Sequence, residues 1–127
     1  MANVLLIDDE AEVAAANQAA LEAGGHHVWV ARTATEALAA LPTAKPDAVV
    51  LETMAVGLSS GFDFANQLAQ TLGAERVLIL TRADDFLDPA TRRKQDRDGW
   101  IRAARFMEKP MSPERLAEEV EHVLAEH

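Results

Sequence analysis

The chain has 127 residues, 49% of them apolar, which is enough for one domain with a sizeable core and excludes a disordered chain. It has no cysteine, which excludes disulfides and thiolate metal sites. A net charge of −9 argues against nonspecific nucleic-acid binding.

The longest apolar runs fall far short of the roughly 20 residues that span a bilayer. The start, "MANVLLIDDE", lacks the basic opening of a signal peptide, and acids interrupt its apolar run at Asp8. The expectation is a cytoplasmic protein without membrane contact. Charge is uneven along the chain. Residues 82–105 hold seven basic side chains against five acids, among them the run Arg92, Arg93, Lys94.

In chain order, "NVLLI" at 3–7 is a continuous apolar run, the mark of a strand covered on both faces. An alanine-rich helix is expected from Glu10 to Ala23, with Val13, Ala16, Ala20 and Leu21 as its apolar stripe and Gly24-Gly25 as its stop. "HVWVA" at 27–31 reads as a strand. Thr33 and Glu36 have capping-box spacing, opening a helix through about Leu41, with Pro42 just past it.

"DAVVL" at 47–51 is the next buried strand, ending at Glu52. Gly57, Ser59, Ser60 and Gly61 mark a loop before a helix running from Phe62 to Leu72. "RVLIL" at 76–80 is the fourth strand, ending at Thr81. Asp88-Pro89 opens a helix to about Ala103, interrupted at Gly99. "ARFME" at 104–108 is the fifth strand and the weakest. Ser112-Pro113 opens a last helix with Leu116, Val120, Val123 and Leu124 on one face. Five such alternations predict a single α/β domain over 1–127, a parallel sheet with helices on both faces and no linker, repeat or second domain.

Functional groups of an open parallel sheet gather at the carboxyl ends of its strands. Those ends carry Asp8, Asp9 and Glu10, then Glu52, Thr81 and Lys109. Clustered carboxylates are hard oxygen ligands that suit Mg²⁺, and a hydroxyl with an ammonium suits phosphoryl oxygens. Each piece alone has a plainer reading: "DDE" as a helix-start cap, Thr81 as a strand-end residue, Lys109 as a surface lysine. Their coincidence at four strand ends is what carries the functional reading.

The segments "VLLIDDE", "PDAVVLE", "VLILT" and "FMEKPMSPERL" together resemble a response-regulator receiver domain over nearly the whole chain. The resemblance implies a flavodoxin-like sheet of order 2-1-3-4-5 and activation by a histidine kinase, whose phosphoryl group moves to an aspartate after the third strand. It implies Mg²⁺-binding roles for Asp8 and Asp9, a switch hydroxyl for Thr81, a phosphate-pairing lysine in Lys109 and an aromatic switch in Phe106. It admits a homodimer. It implies a signalling partner, a kinase or a downstream effector, rather than an enzyme with catalytic residues of its own.

The chain departs from that pattern. The phospho-acceptor position matches Glu52, whose extra methylene adds roughly 1.5 Å, whereas phosphoryl transfer depends on position to about an ångström. The following loop, "MAVGLSSGF", lacks the family's Met-Pro pair and has one extra residue. Thr81 and Lys109 stand 28 residues apart, more than the family usually shows. These departures favour a phosphorylation-independent receiver. In it Glu52 attracts Lys109, and a partner reads 82–105 through Arg92, Arg93, Lys94 and Trp100. A working phosphorelay receiver is the second reading. A Mg²⁺-dependent phosphohydrolase is a third, weakened because "DDE" lacks the D-x-D spacing such enzymes use.

Overall fold

The computed structural model describes the backbone of residues 2–52, 58–82 and 105–125, with the side chains of 58–62, 81–82 and 105–106 left aside. Strand β1 (Asn3–Ile7) leads into helix α1 (Ala11–Ala23), β2 (His27–Ala31), α2 (Ala34–Ala44) and β3 (Ala48–Glu52). Helix α3 (Leu58–Leu72), a 3₁₀ turn (Ala74–Arg76), β4 (Val77–Arg82), β5 (Arg105–Lys109) and α4 (Pro113–Ala125) complete the described elements. The five strands are parallel in the order β2-β1-β3-β4-β5, the flavodoxin-like arrangement.

The two-residue period of the strands explains why they are apolar throughout. Leu5, Ile7, Val49, Leu51, Val77 and Ile79 point to one face, where Ala37 of α2 and Phe64, Ala65 and Leu68 of α3 cover them. Val4, Leu6, Val50, Leu78, Leu80 and Met107 point to the other, beneath Leu21 of α1 and Leu116, Val120 and Val123 of α4. Each Val, Leu, Ile, Phe or Met side chain fully buried in these layers contributes on the order of 1.5–3 kcal/mol. No helix among the described residues is long and apolar enough to cross a membrane.

The terminal signals act as expected at three places. Glu36 N–H donates to Thr33 Oγ1 at 3.1 Å, capping α2. Arg115 N–H donates to Ser112 Oγ at 3.1 Å, capping α4. After α1, Gly25 takes φ +91°, a left-handed turn that a side chain would strain.

Other expectations are corrected. Helix α2 continues through Pro42 to Ala44; in the last turn the missing proline N–H forfeits one bond, and Lys45, at φ 43°, closes the helix on Leu41 O. Helix α3 begins at Leu58, so Ser59, Ser60 and Gly61 form its first turn, where backbone N–H groups have no helical partner in any case. The buried stripe of α1 is Ala14, Asn17 and Leu21; Ala16 is exposed, and Val13 and Ala20 are half-buried. With alanine on every side the helix carries little amphipathic signal, and a polar residue hides its inner face. Strands β3, β4 and β5 each run one or two residues further than expected, so Glu52, Thr81 and Lys109 lie within strands rather than after them. The loop at 53–57, the helix expected from Asp88 to Ala103, and with it Arg92, Arg93, Lys94 and Trp100, lie outside the described residues.

Candidate functional site

The carboxyl ends of β1, β3 and β5 converge because the register aligns them: Ile7 pairs with Leu51, Glu52 with Leu80, and Arg82 with Lys109. Asp8 leaves β1 with its own N–H bonded to Ala31 O at 3.0 Å, and its Oδ1 accepts from Glu10 N–H at 2.9 Å. This turn aims Asp8 back over the sheet, where it is only 5% exposed. Oxygens of Asp8, Asp9 and Glu52 lie within 4.8 Å of one another.

Glu52 is 2% exposed. Two strand spacings, about 9.6 Å, separate β3 from β5, and the long Lys109 side chain crosses them. Its Nζ lies 3.6 Å from Glu52 Oε1 and 3.5 Å from Glu10 Oε1. Among the described residues this is the ammonium that faces the acid cluster. The Lys109–Pro110 peptide bond is cis.

The electrostatics follow from crowding. Burial pushes the Asp8 carboxyl above its ordinary value; the Glu10 N–H and the Lys109 charge oppose this, while Glu10 and Asp9 add to it. Hard oxygens at this spacing fit a divalent cation such as Mg²⁺ held by Asp8, Asp9 and Glu52. Such an ion would supply positive charge to any phosphoryl oxygens bound there, and it would compete with Lys109 for Glu52. Behind the carboxylate a cavity of about 10 Å³ is bordered by Leu6, Asp8, Asn17, Val50, Glu52 and Leu80.

Of the residues expected at the site, the structure brings Asp8, Asp9, Glu52 and Lys109 together. It places Thr81 by its backbone at the end of β4, paired with Glu108, and Phe106 in β5, paired with Ile79. Two residues were not assigned from sequence. Glu10 stood in the "DDE" cluster, but its contact with Lys109 depends on a strand nearly a hundred residues away. Asn17 gave one signal, a polar residue three positions from Ala14 and four from Leu21.

The sequence profile described as the response regulator receiver domain matches residues 4–121. The chain is 31% identical over 121 residues to the alkaline phosphatase synthesis transcriptional regulatory protein PhoP of Bacillus subtilis, covering 95% of this chain and 48% of that protein. It is 31% identical over 86 residues to the transcriptional regulatory protein AfsQ1 of Streptomyces coelicolor, covering 68% of this chain and 38% of that one. The chain thus spans about half the length, or less, of these relatives. Among solved structures, a CheY-like receiver domain protein from Methanospirillum hungatei superposes with TM-score 0.77 at 18% identity, covering 97% of this chain and 93% of that one. NtrX from Brucella abortus, in complex with ADP, gives 0.76 at 25% identity, covering 98% of this chain and 26% of that one. With the profile match over residues 4–121, a relative 31% identical over 95% of this chain and a sheet of order β2-β1-β3-β4-β5, the chain belongs to the response regulator receiver domain family of two-component signalling.

Proposed function

We propose that this receiver signals without phosphorylation at Glu52, through a partner that reads the basic segment 82–105. The observation that carries this reading is the Lys109–Glu52 contact of 3.6 Å at a side chain only 2% exposed. The longer glutamate already occupies the reach of the lysine that would otherwise meet a phosphoryl group. Thr81 and Phe106 then respond to this fixed pairing, and Arg92, Arg93, Lys94 and Trp100 form the recognised surface. Asp8 and Asp9 retain Mg²⁺ only as far as Lys109 yields Glu52.

The test is incubation with acetyl phosphate and Mg²⁺ followed by intact-mass measurement, with Glu52→Asp as control. Unchanged mass in the parent and one added phosphoryl group in the aspartate variant support the reading. A stable added phosphoryl group on Glu52 sinks it. The acid cluster within 4.8 Å favours the second reading, a working phosphorelay receiver, and the same experiment separates the two.

A further inference from the structure

His26 lies at the end of the sheet opposite the acid cluster, in the turn between α1 and β2, and its side chain is only 8% exposed. Both of its ring nitrogens are engaged. Nδ1 faces the backbone N–H of Ala2 at 3.2 Å, and Nε2 faces Oε1 of Glu121 in α4. A backbone N–H can only donate, so Nδ1 accepts and carries no proton. A carboxylate only accepts, so Nε2 carries the proton. Two partners thus fix the ring as the neutral Nε2–H tautomer.

That arrangement has no place for a second proton. An imidazolium has an N–H on each nitrogen, and an Nδ1–H would meet the Ala2 N–H, donor against donor. The Ala2 bond must then break. On the other side of the ring the same proton adds an attraction between opposite charges to the Glu121 contact. The remaining charged groups around the ring permit this. Across a cavity of about 480 Å³ that Ala2, His26 and Glu121 border, Asp47 stands before β3 and Arg76 closes the 3₁₀ turn, so two carboxylates face one guanidinium. From α1 the ring's residue meets a neutral group, the Leu21 carbonyl, which accepts from His26 N–H at 3.3 Å. From β2 the neighbouring titratable residue is the exposed His27. Ala2 in turn holds the first rung of the β1–β2 ladder, because its carbonyl accepts from His27 N–H at 2.9 Å.

We infer that His26 is an acid-operated latch on the amino end of β1. With Nδ1 bare, it holds Ala2 and, through the Ala2 carbonyl, the His27 rung. A proton from solvent takes the Nδ1 lone pair, the Ala2 N–H turns to water, and the rung opens. The grip on Glu121 persists, so acid frees the start of the first strand without detaching α4. The neighbouring cavity leaves room for the freed backbone. The latch needs neither phosphodonor nor metal.

The experiment is NMR of the whole ¹⁵N-labelled chain between about pH 8 and about pH 5, the range in which a histidine ordinarily changes charge. At the upper pH the His26 ring is expected to carry its proton on Nε2 and none on Nδ1. As the ring gains its second proton, the hydrogen-exchange protection factor of His27 N–H should fall by roughly fivefold, the size of one net hydrogen bond. The Gly24 and Gly25 N–H groups, bonded to Leu21 O and Glu22 O, should keep theirs. In His26→Asn the amide oxygen can accept from Ala2 but does not titrate, so the His27 factor should stay level although His27 itself still changes charge. The inference is overturned by a proton on Nδ1 at the upper pH or by a His27 factor unchanged over the range. An equal fall at Gly24 and Gly25, or a fall of the same size in His26→Asn, overturns it as well.

Discussion

The two ends of the sheet treat charge in opposite ways. At the amino end, polar groups are matched one to one. Ala2 N–H donates to His26 Nδ1 at 3.2 Å, and the other ring nitrogen of His26 pairs with Glu121 of α4. Asn3 N–H donates to Asp47 Oδ2 at 2.9 Å, and the other Asp47 oxygen faces Arg76 at 3.7 Å. At the carboxyl end, Asp8, Asp9, Glu10 and Glu52 crowd around Lys109. The same strands feed both ends, so the fold does not demand the imbalance. One end fastens the chain, whereas the other stores repulsion that a cation, a lysine or a phosphoryl group can modulate.

Substitutions can sharpen this contrast, and the largest effect belongs to the crowded end. Lys109→Met removes the ammonium facing a buried carboxylate and is expected to cost about 3 kcal/mol in denaturant unfolding at neutral pH. At the amino end His26→Ala removes the link between Ala2 and α4, at about 1.5 kcal/mol, with Mg²⁺ affinity unchanged by titration calorimetry. A loss of metal affinity there would break the separation of the two ends.

Asp8→Asn should act in the opposite direction, raising stability by about 1 kcal/mol at pH 7, or roughly 3–5 °C in Tm. The sign follows from burial, which raises the Asp8 carboxyl above its ordinary value. The folded state holds that proton more tightly than the unfolded chain, so wild-type stability from this group falls as pH rises through the folded value. The advantage of the Asp8→Asn variant is therefore present at neutral pH and shrinks as the medium turns acidic, a trend thermal unfolding at several pH values reads directly. The smallest effect is Arg76→Ala. Its pair with Asp47 is long, at 3.7 Å, and both side chains are more than a third exposed, so the change should stay under about 0.5 kcal/mol.

Much of this was legible in the sequence, for identifiable reasons. Apolar strands such as "AVVL" are continuous because both faces of the sheet are covered, and the rule that function sits at strand carboxyl ends located Asp8, Asp9, Glu52 and Lys109. Strand order came from the family resemblance rather than from any residue pattern. Pro42 and the Ser59–Ser60 pair misled the helix boundaries, since end turns tolerate residues that helix interiors reject. Asn17 was hidden because alanine surrounds it. The Glu10–Lys109 contact was hidden because it joins two strand ends that only the assembled sheet brings near.

If Glu52 and Lys109 act as a pair, substitutions at the two positions are coupled. A double-mutant cycle in unfolding free energy tests it most directly, using Lys109→Met, Glu52→Gln and both together. Lys109→Met is predicted to cost about 3 kcal/mol in the parent and much less beside Glu52→Gln, a coupling of at least about 1 kcal/mol. An equal cost in both backgrounds would contradict the pairing.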